Sequence, residues 1–198
     1  MPMIMRESRL VHRLQKRDEA AFREMVQTYA QRVYNLVFRM IGNREEAEDL
    51  AQDVFLTVFK SIDSFRGDSK LSTWIYRIAV NHCKNRYKYL ARRMQHASQP
   101  LDELSEREAA GRDGGPALSL QAHISEPDKL LMGLQLEEAI QREIAALDEE
   151  QRLLVVLRDV QGLAYQEIAT ITGLPEGTVK SRLHRARMSL KDRLHKYM

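Results

Sequence analysis

LAYQEIATITGLPEGTVKSRLHRARMSL, Leu163 to Leu190, holds two short helical patterns broken at Gly173-Leu174-Pro175. Ile168, Ala169 and Ile171 form the apolar side of the first pattern. In the second, Val179, Leu183, Ala186 and Leu190 recur at steps of four, three and four, the signature of one buried helical stripe. Gly173 can adopt the positive φ that ends a helix, and Pro175 is preset for the first position of the next. The stretch therefore predicts a helix-turn-helix, whose second helix fits the DNA major groove. Opposite the stripe lie Lys180, Ser181, His184, Arg185 and Arg187. From Pro175 to Met198 seven lysines and arginines face only Glu176 and Asp192. A basic surface helix in a packed hairpin would share some of these features. It would not require the turn chemistry, the stripe and the segregated charge together.

Working outward, the chain of 198 residues suits one ordinary domain or two small ones. Its formal net charge is only +3, with 30% charged residues, so the sorting of charge into blocks says more than the balance. Gly and Pro are scarce outside two places, and no alternating β pattern stands out. The expected class is all-α: two small helical domains joined by a flexible linker. The single cysteine, Cys83, excludes an internal disulfide and suits a reducing cytoplasm. MPMIMRESRL lacks an apolar core of signal-peptide length. The longest apolar run, Leu153–Leu157, is too short to span a bilayer.

Ser8–Lys16 predicts a short leading helix. Asp18 predicts the cap of a second helix, with Phe22, Val26, Tyr29, Val33, Leu36, Val37 and Met40 inward and Gly42-Asn43 as its stop. The next helix, about Arg44–Ile62, buries Ala47, Leu50, Ala51, Val54, Phe55 and Val58. Its outer side starts acidic, with Glu45, Glu48, Asp49 and Asp53, and carries Gln52, Leu56 and Phe59. Such a face suits a protein partner better than nucleic acid. Spacing alone fits equally a solvated amphipathic helix whose edge touches a neighbour in its own domain.

After a turn-rich loop at Asp63–Lys70, Ser72 or Thr73 is the expected cap of a long helix reaching about Arg93. Trp74, Arg77, Asn81, Lys84 and Lys88 share one face. Seven basic residues lie between Asp68 and Arg93, against one acid, with Tyr76, Tyr87 and Tyr89 interleaved. Charges that track phosphates, rings that stack on unpaired bases and an amide that bonds a base edge are what single-stranded nucleic acid needs. For Trp74 a plain core position is an equal alternative.

His96–Glu126, with Pro100, Gly111, Gly114, Gly115 and Pro116 among acids, reads as a linker. Pro127 or Asp128 opens another helix through Leu131, Leu134, Ile140, Ile144 and Leu147. Asp148 and Gln151 form a candidate capping box for the following helix, which buries Leu153, Leu154, Val156 and Leu157 and ends at Gly162. The expected division is 6–94, a linker at 95–126, and 127–198.

Together, EDLAQDVFLTVFKSIDSFRGDS (Glu48–Ser69), STWIYRIAVNHCKN (Ser72–Asn85), GLAYQEIA (Gly162–Ala169) and GTVKSRLHRAR (Gly177–Arg187) resemble the extracytoplasmic-function (ECF) sigma factors of bacterial RNA polymerase. The resemblance covers nearly the whole chain in the right order. It implies a first domain, sigma region 2, that binds core polymerase and opens the −10 element, and a second, sigma region 4, that reads the −35 element. Asp49, Gln52, Asp53 and Leu56, with Phe59 along the same edge, match the segment docking on the β′ clamp helices. Asn81 matches an asparagine near a pocket for a flipped −10 base, and Trp74, Arg77, Lys84 and Lys88 share its face. Gly177, Lys180, Ser181, His184, Arg185 and Arg187 lie in the −35 recognition segment. The implied partners are core polymerase (β′ clamp helices and β flap), promoter DNA and an anti-sigma factor, often membrane-linked in this family.

Ala164 departs from the family's frequent serine and removes a hydroxyl cap worth about 0.5–2 kcal/mol. His184 replaces a common aromatic and leaves promoter preference open. No sensory domain is expected beyond Met198. No catalytic residues, cofactor or metal site are expected, since His82-Cys83 lacks metal-ligand companions. The competing function, a stand-alone helix-turn-helix regulator, would leave the Trp74–Lys88 face unexplained. A recombinase-type enzyme would need a catalytic domain that the helical first ninety residues do not suggest.

Overall fold

The computed structural model describes residues 2–97 and 139–195. Every regular element among them is helical, as the sequence predicts. In order these are α1 (Pro2–Gln15), α2 (Glu19–Ile41), α3 (Arg44–Ser61), a 3-10 turn (Ile62–Ser64), α4 (Leu71–Ala97), α5 (helical over 139–145), α6 (Glu149–Val155), a π-helical turn (Val156–Val160), α7 (Tyr165–Thr172) and α8 (Glu176–Leu194). The expected linker after Ala97, together with Leu131 and Leu134, lies outside the described residues.

Local chemistry sets most boundaries. The Asp18 carboxylate accepts the Ala21 N–H at 3.1 Å, and α2 ends at Gly42, whose φ of 83° lets its N–H return to Phe38 O. Asn43 caps α3 through the Glu46 N–H, and Asp148 caps α6 through the Gln151 N–H at 2.8 Å. Gly173, at φ 75°, closes α7. Two starts are shifted. Pro175 is the residue before α8 rather than its first helical residue. α4 begins at Leu71 rather than behind a Ser72 or Thr73 cap, because Glu7 of α1 accepts the Leu71 N–H. A tertiary carboxylate thus does the work of a local cap.

Ala164 cannot accept a bond through its side chain, yet half of a capping box survives: its N–H donates to Glu167 Oε2 at 2.9 Å.

The buried apolar residues form one continuous cluster. It runs from Leu14, Met25, Leu36, Val54 and Ile75 in the N-terminal helices to Leu154, Leu157, Ile168 and Leu183 in the C-terminal ones. The two halves touch directly: α7 lies on α4, and α6 and the π-helical turn lie on α2.

Candidate interaction and nucleic-acid surfaces

On α3, packing follows the 3.6-residue period. Ala47, Ala51, Val54, Phe55 and Val58 are buried, which forces Asp49, Gln52, Leu56 and Phe59 outward, with Asp53 half-buried at the edge. Leu56 and Phe59 are 55% and 45% exposed, large for apolar side chains. Phe59 is nonetheless held in place. The Phe22 ring tilts against it at 4.6 Å, and the Arg17 guanidinium lies 5.0 Å from its centroid while bonding Phe59 O and the Asp63 carboxylate. Arg17 adopts a left-handed backbone, φ 61°, which is uncommon outside glycine. The result is an acidic face with a rigid apolar edge, suited to a protein partner.

On α4 the predicted residues separate. Arg77, Asn81 and Lys88 are exposed and Lys84 is half-buried. Trp74 is only 7% exposed, its indole leaning on Phe65 at 5.3 Å, so the core alternative describes it in this arrangement. Of the interleaved tyrosines, Tyr76 is buried, and Tyr87 is half-buried with its hydroxyl donating to Met40 O. Tyr89 alone of the three is exposed, beside the Arg86 guanidinium. Cys83 is fully buried, and burial pushes its thiol up to about 12, the signature of an inert packing residue. His82 Nε2 and Thr57 Oγ1 meet at 2.9 Å, and Arg86 pairs with Glu46, so α3 and α4 are tied by polar as well as apolar contacts.

A cavity of about 510 Å³ opens between α1 and the loop before α4, lined by Glu7, Val11, His12, Phe65, Arg66 and Asp68 among others. Asn81 is not part of its lining.

On α8, Val179, Leu183 and Ala186 are buried, and Gly177, Lys180, Ser181, His184, Arg185 and Arg187 are all exposed on the other side. The structure brings these six together. Lys180 pairs with Glu176 at 2.6 Å, and that bond raises its ammonium pKa. Arg187 is turned back onto Asp159 of the π-helical turn, donating from Nε at 3.1 Å and from Nη2 as well. His184 and Arg185 project from the middle of the exposed face.

Sequence reasoning missed Tyr165. Its ring is flanked by the Arg158 guanidinium at 4.7 Å and the Lys180 ammonium at 5.4 Å, and Arg187 approaches its hydroxyl. The negative faces of one aromatic ring thus gather cations from the π-helical turn and from α8. Arg158 is further fixed by donating to Leu163 O at 2.7 Å. Clustered cations at the mouth of a helix-turn-helix are what a DNA phosphate would meet. The one sequence signal was Tyr165 in the first turn of α7, seven residues after Arg158.

Comparison with known proteins follows the same division. Residues 25–93 match the sequence model of Sigma-70 region 2, and residues 137–190 match that of Sigma-70, region 4. The ECF RNA polymerase sigma-E factor of Escherichia coli (strain K12) is 38% identical over 185 residues, 93% of this chain and 92% of that one. This chain belongs to the ECF sigma factors. The RNA polymerase sigma-H factor of Pseudomonas aeruginosa is 34% identical over 93% of the sigma factor described here and 91% of its own length.

Among solved structures, CnrH in complex with the cytosolic domain of CnrY matches with a TM-score of 0.66 at 21% identity, covering 96% of this sigma factor and 97% of that chain. The sigma factor RpoE of Bartonella quintana, in complex with the anti-sigma factor NepR, gives 0.65 at 23%, covering 88% and 96%. At these identities the likeness is one of fold. Region 2 thus holds α3 and most of α4, and region 4 holds the helix-turn-helix.

Proposed function

We propose that this sigma factor binds core RNA polymerase through the outer face of α3, engages the unpaired −10 strand with the exposed side of α4, and reads the −35 duplex with α8. The observation that carries the reading is the presence, on one chain, of an acidic face edged by exposed Leu56 and Phe59 and a separate exposed face of cations on α8. The first suits a protein and repels DNA; the second suits DNA. Neither surface alone would serve a promoter-specificity subunit.

In this division of labour Asp49, Gln52, Asp53, Leu56 and Phe59 dock on the β′ clamp helices. Arg77, Asn81, Lys84 and Lys88 meet the −10 strand, with Trp74 supporting them from beneath. Lys180, Ser181, His184 and Arg185 face base edges in the −35 major groove, while Gly177 allows close approach. Arg187, Arg158 and Tyr165 belong to the phosphate-facing rim, and region 4 meets the β flap elsewhere. The domain limits remain those proposed from the sequence, 6–94 and 127–198 with a linker at 95–126.

The sigma factor performs no catalysis of its own, since phosphodiester chemistry belongs to the polymerase. An anti-sigma factor is a further partner, a reading supported by the structure of Bartonella quintana RpoE in complex with the anti-sigma factor NepR. Among the described residues no helix is long and apolar enough to cross a membrane, and we place the protein in the cytoplasm with its polymerase.

Run-off transcription with purified core polymerase tests the reading. Adding this chain should confer initiation at specific promoters of its own genome. Failure at every such promoter would overturn it.

A further inference from the structure

Where α1 ends the chain turns at once into α2, and two backbone bonds close the turn. The Arg17 N–H donates to Leu14 O at 2.9 Å and the Asp18 N–H to Arg13 O at 3.1 Å, while Arg17 itself stands left-handed at φ 61°. Helix ends of this pattern favour glycine at the left-handed position, because a side chain there crowds its own backbone. The left-handed residues that close α2 and α7 are indeed Gly42 and Gly173. Among the described residues Arg17 alone takes a positive φ without being glycine.

The side chain at this strained position acts 42 residues away. Its Nη1 donates to Phe59 O, one of the last carbonyls of α3, and its Nη2 bonds the Asp63 carboxylate in the 3-10 turn that follows. The same guanidinium lies 5.0 Å from the centroid of the Phe59 ring, and the Phe22 ring lies 4.6 Å from it at a tilt of 56°. Phe59 is therefore held by two groups from outside its own helix, yet stays 45% exposed.

Stability alone does not account for an arginine at this turn. The pair with Asp63 is open to water, its side chains 40% and 60% exposed, and exposed pairs contribute little. Strain kept at one residue, where a glycine would remove it, points to a use for that side chain. The structure offers one in the Phe59 ring. An anchor whose rotamer is fixed before the partner arrives loses less freedom on binding and so binds more tightly.

We propose that Arg17 is a positioning residue for polymerase binding: from the strained turn between α1 and α2 it fixes the Phe59 ring, and with it the end of α3, in the orientation that core polymerase receives. The proposal rests on the docking role given to α3 above. It gives Arg17 no contact with the polymerase itself.

Two measurements on the full chain test it: fluorine NMR after labelling with para-fluorophenylalanine, and affinity of the unlabelled protein for purified core polymerase. Phe59→Leu identifies the Phe59 signal among the five phenylalanines. Arg17→Gly removes the guanidinium and relieves the backbone, so its melting temperature should be no lower than that of wild type. Its Phe59 signal should nevertheless move toward that of a solvent-exposed ring, and its affinity for core should fall severalfold. The double variant Arg17→Gly/Phe59→Ala should bind no more weakly than Phe59→Ala alone. Arg17→Asn, which also tolerates the left-handed region, should repeat these results and decides should Arg17→Gly fail to fold.

Core binding at wild-type strength in folded Arg17→Gly, an unmoved Phe59 signal, or losses that multiply in the double variant would each overturn the positioning role. Multiplying losses would make Arg17 an independent contact. Failure of the docking reading looks different. Phe59→Ala and Asp53→Arg would then bind core as wild type does while the Phe59 signal still moves in Arg17→Gly, which removes the docking surface and the role of Arg17 in it but leaves the held ring.

Discussion

Arg187 grips Asp159 with two nitrogens, joining the middle of α8 to the π-helical turn that precedes the helix-turn-helix. Arg185, two residues earlier, projects from the same exposed surface. The two arginines should therefore behave differently. The Arg187–Asp159 pair is partly exposed, 46% and 37%, so its contribution to stability is about 0–1 kcal/mol. Arg187→Ala should lower the melting temperature slightly and weaken binding to all duplexes alike. Arg185→Ala should cost about 1–3 kcal/mol and abolish dependence on the −35 sequence. Titrations against −35 variants distinguish them, and uniform weakening by Arg185→Ala would mark that residue as a phosphate contact.

Tyr165 organises cations that the sequence scatters over thirty positions, from Arg158 to Arg187. Tyr165→Ala should release Arg158 and Lys180 from a common site and lower DNA affinity severalfold. Tyr165→Phe keeps the ring and should retain most of the affinity. The slope of log affinity against log salt counts phosphate contacts, so it should become shallower for the alanine variant alone. Equal slopes for all three proteins would mean the ring only fills space.

These two cases show what a sequence can and cannot display. The period of α3 separated Val54 and Val58 from Leu56 and Phe59 correctly, because each residue's side follows from its position on the helix. Asp18, Gly42 and Gly173 announced their roles because capping is local. The α4 face was harder. Period alone grouped Trp74 with Arg77 and Asn81, yet Phe65 covers the indole, and α7 lies along the same helix. A stripe tells which residues want burial, not which element will bury them. Arg152 carried no signal at all, since its partners Met40 and Tyr87 lie 112 and 65 residues away.

The α3 face should bind polymerase with Leu56 and Phe59 as anchors and the acids as guides. Asp53→Arg should reduce co-purification with core polymerase, and Phe59→Ala should do so without altering net charge. If both variants co-purify as wild type does, α3 is ordinary surface. On α4, Asn81→Ala should slow promoter opening more than formation of the closed complex. Permanganate reactivity of −10 thymines is the readout, and unchanged reactivity would sink the role given to Asn81.

Acid should weaken the contact between the loop before α4 and α7, where Lys70 Nζ meets Glu167 Oε1 at 2.9 Å. Burial works to raise the Glu167 carboxyl, but the Ala164 amide and the Lys70 ammonium outweigh it and hold it below the ordinary carboxylate value of 4.5. A carboxyl depressed in the folded state contributes stability that is fully present above its unfolded pKa and lost as pH falls through the folded one. The wild-type melting temperature should therefore fall more steeply below that ordinary value than that of Glu167→Gln, which has no charge to lose. Above it, the variant should be less stable by a constant amount. Melting curves recorded across that acidic range would show the two proteins converging as pH drops. Parallel curves would mean that Glu167 gains nothing from Lys70.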